Sequence, residues 1–202
     1  MNTYQIHTYN KKRLADTTTP VSIYLRLRDV FTNTILLESS DYHSRENATS
    51  YVCAEPVAGF VVKDGVLSIS YPDGKTETKQ DFVLSNEITA FKNKFEQINA
   101  PESKHISSGL FGYFTWNCVQ YFEDIKFSSA TPEEDKIPEM QYHIYRYIIA
   151  IDHFKNEITL FKNTFNNDED EDLSKMEYII QNKNFPEYGF STNGAESSHL
   201  TE

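Results

Sequence analysis

The residue types most capable of chemistry stand in TILLESSD, residues 34–41, where an acid and two hydroxyls follow Ile35, Leu36 and Leu37. Glutamate is rarely buried without a partner, so an apolar run that ends on one sets a carboxylate at the rim of the fold. Two arrangements fit the pattern. In one, Glu38 is the solvated end of a strand and Ser39-Ser40 is a turn. In the other, Glu38 is held at the lip of an apolar pocket and meets an ammonium group. A charge-assisted bond of that second kind contributes about 1.5–3 kcal/mol.

Elsewhere the inventory for catalysis is thin. The six histidines, His7, His43, His105, His143, His153 and His199, form no HExxH pair, and none lies at metal spacing from Cys53 or Cys118. DEDED at 168–172 lacks the glycine and the alternate ligands of a calcium loop and reads as a solvated lead into a helix. Adjacent acids such as Glu123-Asp124 and Glu133-Glu134 do not converge on one point of a helix, which leaves them as surface charge. GxSxG, GxGxxG and GxxxxGK[ST] are all missing, and glycine itself is scarce at 7 of 202 residues. Trp116 and the aromatics around it are expected in the core. The sequence therefore offers no catalytic residue and no metal ligand set.

Composition narrows the partners. The chain is hydrophobic at 39% and aromatic at 14%, a globular balance, and its net charge of −11 repels phosphate backbones and anionic lipid surfaces. Nucleic acid and membrane are thus poor partners. The opening MNTYQIHTYNKK has no apolar core of a signal peptide, and the longest apolar runs, such as YIIAI at 147–151, are too short to span a bilayer. With two cysteines outside any CxxC pair, a reducing cytoplasm is the expected setting.

Several elements are legible around the motif. Thr19-Pro20 before VSIYLRLRDVF reads as an N-cap and a first-turn proline of a helix, although alternation of Val21, Ile23 and Leu25 also fits a strand. TILLES reads as a buried strand. TSYVCAEP, AGFVVKDG, VLSISYPDG and KTETK follow as β segments with turns at Asp64-Gly65 and Asp73-Gly74. SNEITAFKNKFEQIN spaces Ile88, Phe91, Phe95 and Ile98 for one helical face, with Ser85 as cap. SGLFGYFTWNCVQYFEDI begins as a strand and ends as a helix, and 141–165 reads as two long strands around a turn at 153–156. A last helix turns Leu173, Met176, Ile179 and Ile180 inward.

LLESSD at 36–41 and the strand ending in AEP at 54–56 resemble the N-terminal region of anthranilate synthase component I, of the chorismate-utilising enzymes. GLFGYFTWNCVQYFED at 109–124, IPEM at 137–140 and IIAIDHFKNEITL at 148–160 continue the likeness in the same order. SSHLTE at 197–202 is similar to the lead into the first helix of that family's chorismate-using domain. The resemblance runs from about Thr19 to the end. It implies an α+β fold with a largely antiparallel sheet and three to four helices, the N-terminal layer of a larger α/β sandwich enzyme. Residues 1–183 would be the N-terminal regulatory domain, and 184–202 a linker into an absent chorismate-binding catalytic domain.

The functional expectations follow from the same resemblance. In that family chorismate and ammonia become anthranilate on the way to tryptophan, with ammonia supplied by a glutamine amidotransferase subunit, component II. Mg2+ and the catalytic residues belong to the C-terminal domain, which implies no cofactor and no activity in this chain alone. The N-terminal region in that family contributes to tryptophan feedback inhibition, and its motif maps onto Leu36, Leu37, Glu38 and Ser39, with Leu37, Glu38 and Ser39 as the expected tryptophan-binding residues. Glu38 would meet the α-ammonium, Ser39 would add polar contacts, and apolar surface would receive the indole. The rest of that pocket comes from the other domain, which implies little tryptophan affinity for this chain by itself. Where some relatives carry a basic residue near the ligand, this sequence has Asn47-Ala48-Thr49-Ser50, which leaves two readings: Arg45 substitutes from one turn away, or carboxylate recognition is weaker. The N-terminal domain of aminodeoxychorismate synthase component I and a free-standing amino-acid-binding module are the alternatives; the insertion SSDYHSRENATS favours anthranilate. A severed domain interface also implies an exposed apolar patch.

Overall fold

The computed structural model describes residues 3–39, 48–125, 137–166, 168, 170–182, 189 and 191–194. Its frame is a nine-stranded sheet: β1 (Tyr4–Leu14), β2 (Ile35–Leu37), β3 (Thr49–Lys63), β4 (Val66–Ser70), β5 (Thr76–Lys79), β6 (Phe95–Asn99), β7 (Phe111–Phe114), β8 (Met140–Asp152) and β9 (Glu157–Phe165). Strand order is β5-β4-β3-β8-β9-β1-β6, with β2 added beside β3 and β7 beside β8. Every pairing is antiparallel except β1 with β6. Three α-helices, α1 (Pro20–Arg28), α2 (Leu84–Lys92) and α3 (Ser174–Gln181), and a 3-10 helix at Trp116–Tyr121 complete an α+β fold.

Local chemistry accounts for the turns. Asp64 and Gly65 both take positive φ, 51° and 74°, which a two-residue hairpin between β3 and β4 requires. Asn156 at φ 51° closes the β8–β9 turn, a conformation asparagine tolerates better than most residues. The alternation of Val21, Ile23 and Leu25 loses to capping: Thr19 Oγ1 accepts from the Ser22 N–H at 3.1 Å, Ser22 Oγ accepts from the Thr19 N–H at 3.1 Å, and Pro20 opens the helix.

Pleat alternation gives the central strands two faces. Val52, Ala54, Ile149, Ile151, Ile158 and Leu160 pack beneath Ile23 and Leu27 of α1 and Met176 and Ile180 of α3. Cys53, Tyr145, Ile148, Ala150 and Phe161 turn to the opposite face with Phe111, and that cluster contains no helical residue. A third cluster gathers Leu84 and Phe91 of α2 with Tyr4, Ile6, Phe60 and Phe165.

Four expectations need correction. The helix read over 85–99 stops at Lys92, and Phe95–Asn99 is a strand instead. Pairing with β1 supplies its backbone partners, and Phe95 still reaches the same core against Tyr4 and Phe91, with ring centroids 5.4 and 4.9 Å apart. Ile98 is exposed, and Ser85 lies inside the first turn behind an N-cap Val83 that makes no side-chain cap bond. The polar opening YQIHTYNKKRL, from which no strand was read, forms β1 because Tyr4, Ile6 and Thr8 alternate inward. Trp116 is 81% exposed rather than core, and Phe114, Phe122, Ile125 and Ile137 are exposed with it. TILLES is half-buried, not buried, since β2 lies at the end of β3.

Candidate functional site

β2 is a three-residue strand whose register on β3 is Ile35↔Cys53, Leu36↔Val52 and Leu37↔Tyr51. Leu36 packs with the cluster under α1 and α3, while Ile35 and Tyr51 join the opposite cluster. The approach to β2 is pinned by Tyr145, whose hydroxyl donates to the Asn33 carbonyl at 3.0 Å. Burial, and then the neighbouring Cys53, push the Tyr145 hydroxyl above its ordinary pKa and keep it protonated as that donor.

The predicted site residues fall at the open end of this strand. Leu37 is 38% exposed on the side shared with Ile35 and Tyr51, and Glu38 and Ser39 are exposed beyond it. Ser40–Asn47, Arg45 among them, lie outside the described residues, as does most of the segment read as a linker. The clefts bounded by Thr8, Asn99 and Leu173, by Arg13, Arg26 and Gln181, and by Ile6, Phe95 and Leu110 are lined by other residues.

Beside Leu37 the structure gathers residues that the motif search missed. Ser50, fully buried, places its Oγ 2.7 Å from His153 Nε2, and the His153 N–H donates to the Ala48 carbonyl at 3.1 Å. Asp152 ends β8 opposite Thr49 and is 1% exposed. Its Oδ1 accepts from the Phe154 and Lys155 N–H groups, both at 3.0 Å, and its Oδ2 lies 2.6 Å from Lys104 Nζ. Burial lifts the Asp152 carboxyl, but the Lys104 ammonium and these amides outweigh it and hold it below the ordinary carboxylate range. Asp152 and His153 stand in the ID-H turn that carried part of the resemblance. Lys104 had no signal in sequence, because only folding brings it to β8.

Lys104 arrives on the loop 100–110 between β6 and β7, which crosses the face without helices. The Ile106 N–H donates to Tyr51 Oη at 3.1 Å, and Asn163 Nδ2 donates to the Ser107 carbonyl at 3.2 Å. Asn163 is itself fully buried, accepts from Thr8 Oγ1 at 2.7 Å and donates to the Tyr145 carbonyl at 3.0 Å. Tyr51 thus has two neighbours of interest, Leu37 across the ladder and the loop above its ring.

The acidic stretch 168–172 is fastened to the sheet rather than merely solvated. Asp168 bonds Arg146 at 3.2 Å, and Asp170 bonds the nearly buried Lys162 at 2.8 Å. Arg146 also holds Glu55 at 2.8 Å, where Glu55 takes a strained φ of 60° beside the β3 bulge. Both cysteines are buried free thiols, and burial raises the Cys53 and Cys118 pKa away from thiolate chemistry. Among the described residues no group of three or more His, Cys, Asp or Glu could hold a metal ion. No helix among them is long and apolar enough to cross a membrane.

The model of the chorismate binding enzyme family matches residues 36–201, from the LLES motif through the last strand and helix. The chain belongs to that family. Anthranilate synthase component 1 of Thermus thermophilus is 27% identical over 161 residues, covering 77% of this chain and 32% of that protein. Anthranilate synthase component 1 of Lactococcus lactis is 28% identical over 167 residues, covering 81% of this chain and 34% of that protein. A crystal structure of anthranilate synthase component I from Streptococcus pneumoniae covers 84% of this chain and 35% of its own, with a TM-score of 0.43 and 18% identity. The chain therefore spans about a third of the length of the curated relatives it matches. The matched stretch begins at the strand that carries Leu37 and includes the Asp152-His153 turn.

Proposed function

We propose that residues 1–183 form the N-terminal, non-catalytic regulatory domain of an anthranilate synthase component I, and that 184–202 link it to a chorismate-using catalytic domain. The observation that carries this is coverage: relatives named anthranilate synthase component 1 match four fifths of this chain or nearly so, with only a third of their own length. In the whole enzyme, chorismate and ammonia would give anthranilate for tryptophan biosynthesis. Component II, a glutamine amidotransferase, would deliver the ammonia, and Mg2+ would reside in the catalytic domain.

The same proposal makes the end of β2 part of the tryptophan feedback site. Glu38 receives the α-ammonium, Ser39 offers its hydroxyl, and Leu37 with its neighbours meets the indole. The exposure of all three residues supports this, since a carboxylate tied up inside the fold would be closed to a ligand. Tryptophan bound there favours a less active arrangement of the two domains, with coupling of the usual allosteric size, about 1–3 kcal/mol.

The test is ammonia-dependent anthranilate formation by the chain extended through its chorismate-using portion. Activity and tryptophan inhibition should both be present, and Ser39→Phe should relieve inhibition while leaving turnover intact. Unaided turnover of chorismate by the 202 residues would overturn the non-catalytic assignment.

A further inference from the structure

We propose that the cleft between α1, α3 and the end of β1 binds a small amphipathic anion, a carboxylate or phosphate carried on an apolar group, held by Arg13 and Arg26. The cleft takes no residue from β2, so it stands or falls apart from the role proposed for Glu38.

Strand pairing and helix packing place the two arginines. Arg13 stands opposite Ile158 in the β1–β9 ladder, and directly opposed residues share a face, so its side chain rises on the helix-covered side of the sheet. Arg26 comes from α1, one turn after Ser22, whose Oγ accepts from Arg26 Nη1 at 3.5 Å. Both line a cleft of about 600 Å³, a size that suits a small molecule. Its floor is apolar: Ile158, Leu160 and Ile180 line it and are buried. Thr17 and Thr18, from the connection between β1 and α1, add hydroxyls. That connection is anchored, since the Ala15 N–H donates to the Asn156 carbonyl at 2.8 Å and the Thr18 N–H to the Ala15 carbonyl at 3.2 Å.

Charge sets the class of ligand. Two guanidinium groups line the cleft and no acid does, in a chain whose net charge is −11. Glu177 bonds Arg13 at 3.2 Å, but it also bonds Lys11 at 2.8 Å and lines the neighbouring cleft instead. One carboxylate against two cations leaves that group positive. Burial draws the Arg26 pKa below its ordinary value without removing the charge, and an anion beside it offsets the lost hydration.

Gln181 marks where an oxygen fits. With its amide turned to satisfy both ends, its oxygen accepts from Nη1 and Nη2 of Arg13, the fork that a carboxylate or phosphate also matches. Gln181 is exposed at the end of α3 and can turn outward. An anionic oxygen in its place makes a charge-assisted bond, roughly twice as strong as the neutral one it replaces. The apolar floor then receives the group that carries the charge.

The experiment is an NMR titration of the 202-residue chain with benzoate, phenyl phosphate, inorganic phosphate and the uncharged benzyl alcohol. Benzoate or phenyl phosphate should shift the amides of Thr17, Thr18 and Gln181, and the stronger of the two identifies the anion. Benzyl alcohol should leave those amides in place. Arg26→Gln should weaken the stronger ligand roughly tenfold, the size expected for one charge-assisted bond, and Arg26→Lys should restore part of the affinity. Arg28→Gln removes the same charge from the same helix outside the cleft and should change nothing. The site is wrong if neither aromatic anion shifts these amides, or if benzyl alcohol shifts them as far. It is equally wrong if Arg26→Gln has no effect or only the effect of Arg28→Gln. Inorganic phosphate binding as tightly as the aromatic anions would overturn the amphipathic class of ligand.

Discussion

The two faces of the central strands are covered by different means. Beneath α1 and α3 lies a cluster in which Ile23 and Leu27 are fully buried, and its cover is two helices joined to the sheet by apolar packing. Over Cys53, Ile148 and Phe161 the cover is the loop 100–110, which donates to Tyr51 Oη and the Asp152 carboxylate and accepts from Asn163 Nδ2. Packing contributes broadly and indifferently to small movements; a few directional bonds hold one position and release it when one is lost. The helix-covered face is therefore the part that keeps the domain folded. The loop-covered face is the part whose order a single lost bond can release.

That contrast can be broken at several points. Leu27→Ala should have the largest effect, a loss of about 2–5 kcal/mol in urea denaturation, with the amide shifts of Lys104 to Ser108 unchanged in the folded protein. Asn163→Ala leaves the Thr8 hydroxyl and two carbonyls without their partner and should cost about 1–3 kcal/mol. Unlike Leu27→Ala, it should speed amide exchange across 104–108 well beyond global opening. Tyr51→Phe keeps the ring against Phe111 and removes only the Ile106 bond, so a change of about 0.5–1.5 kcal/mol is expected, with Ile106 exchanging faster.

The smallest effect is acid release of the loop. Because the folded Asp152 pKa is depressed, its stabilisation is complete above the unfolded value near ~3.9 and fades as pH falls through the lower folded value. Lys104 is well exposed, so about 1 kcal/mol or less is at stake. NMR should show 104–106 loosening below the ordinary aspartate range while α1 and α3 remain ordered. Asp152→Asn should loosen them at neutral pH too.

The sheet was largely legible because its strands carry strong signals: Asp64-Gly65, Asp73-Gly74 and the long apolar runs of β8 and β9. β1 was not, since Gln5, His7 and Lys11 mask an alternation that only pairing to β9 and β6 makes worthwhile. The 85–99 helix was overread because Phe91 and Phe95 share a core whether the chain continues as helix or turns into a strand. Trp116 was misplaced because an aromatic-rich segment looks alike in sequence whether it is packed or exposed. At the candidate site, local pattern singles out Glu38 and its neighbours, and only the family resemblance gives Leu37, Glu38 and Ser39 a role. The pairing of Lys104 with Asp152 was not legible, because contacts across 48 positions of sequence leave no local trace.

In the proposed regulatory role, Glu38 senses and does not catalyse. The direct measurement is the tryptophan inhibition curve of the extended, chorismate-using enzyme with Glu38→Ala beside the parent. Loss of one charge-assisted bond predicts an inhibition constant roughly 10- to 150-fold weaker, with uninhibited turnover of chorismate unchanged. An unaltered inhibition constant, or turnover that falls along with Glu38, would contradict it.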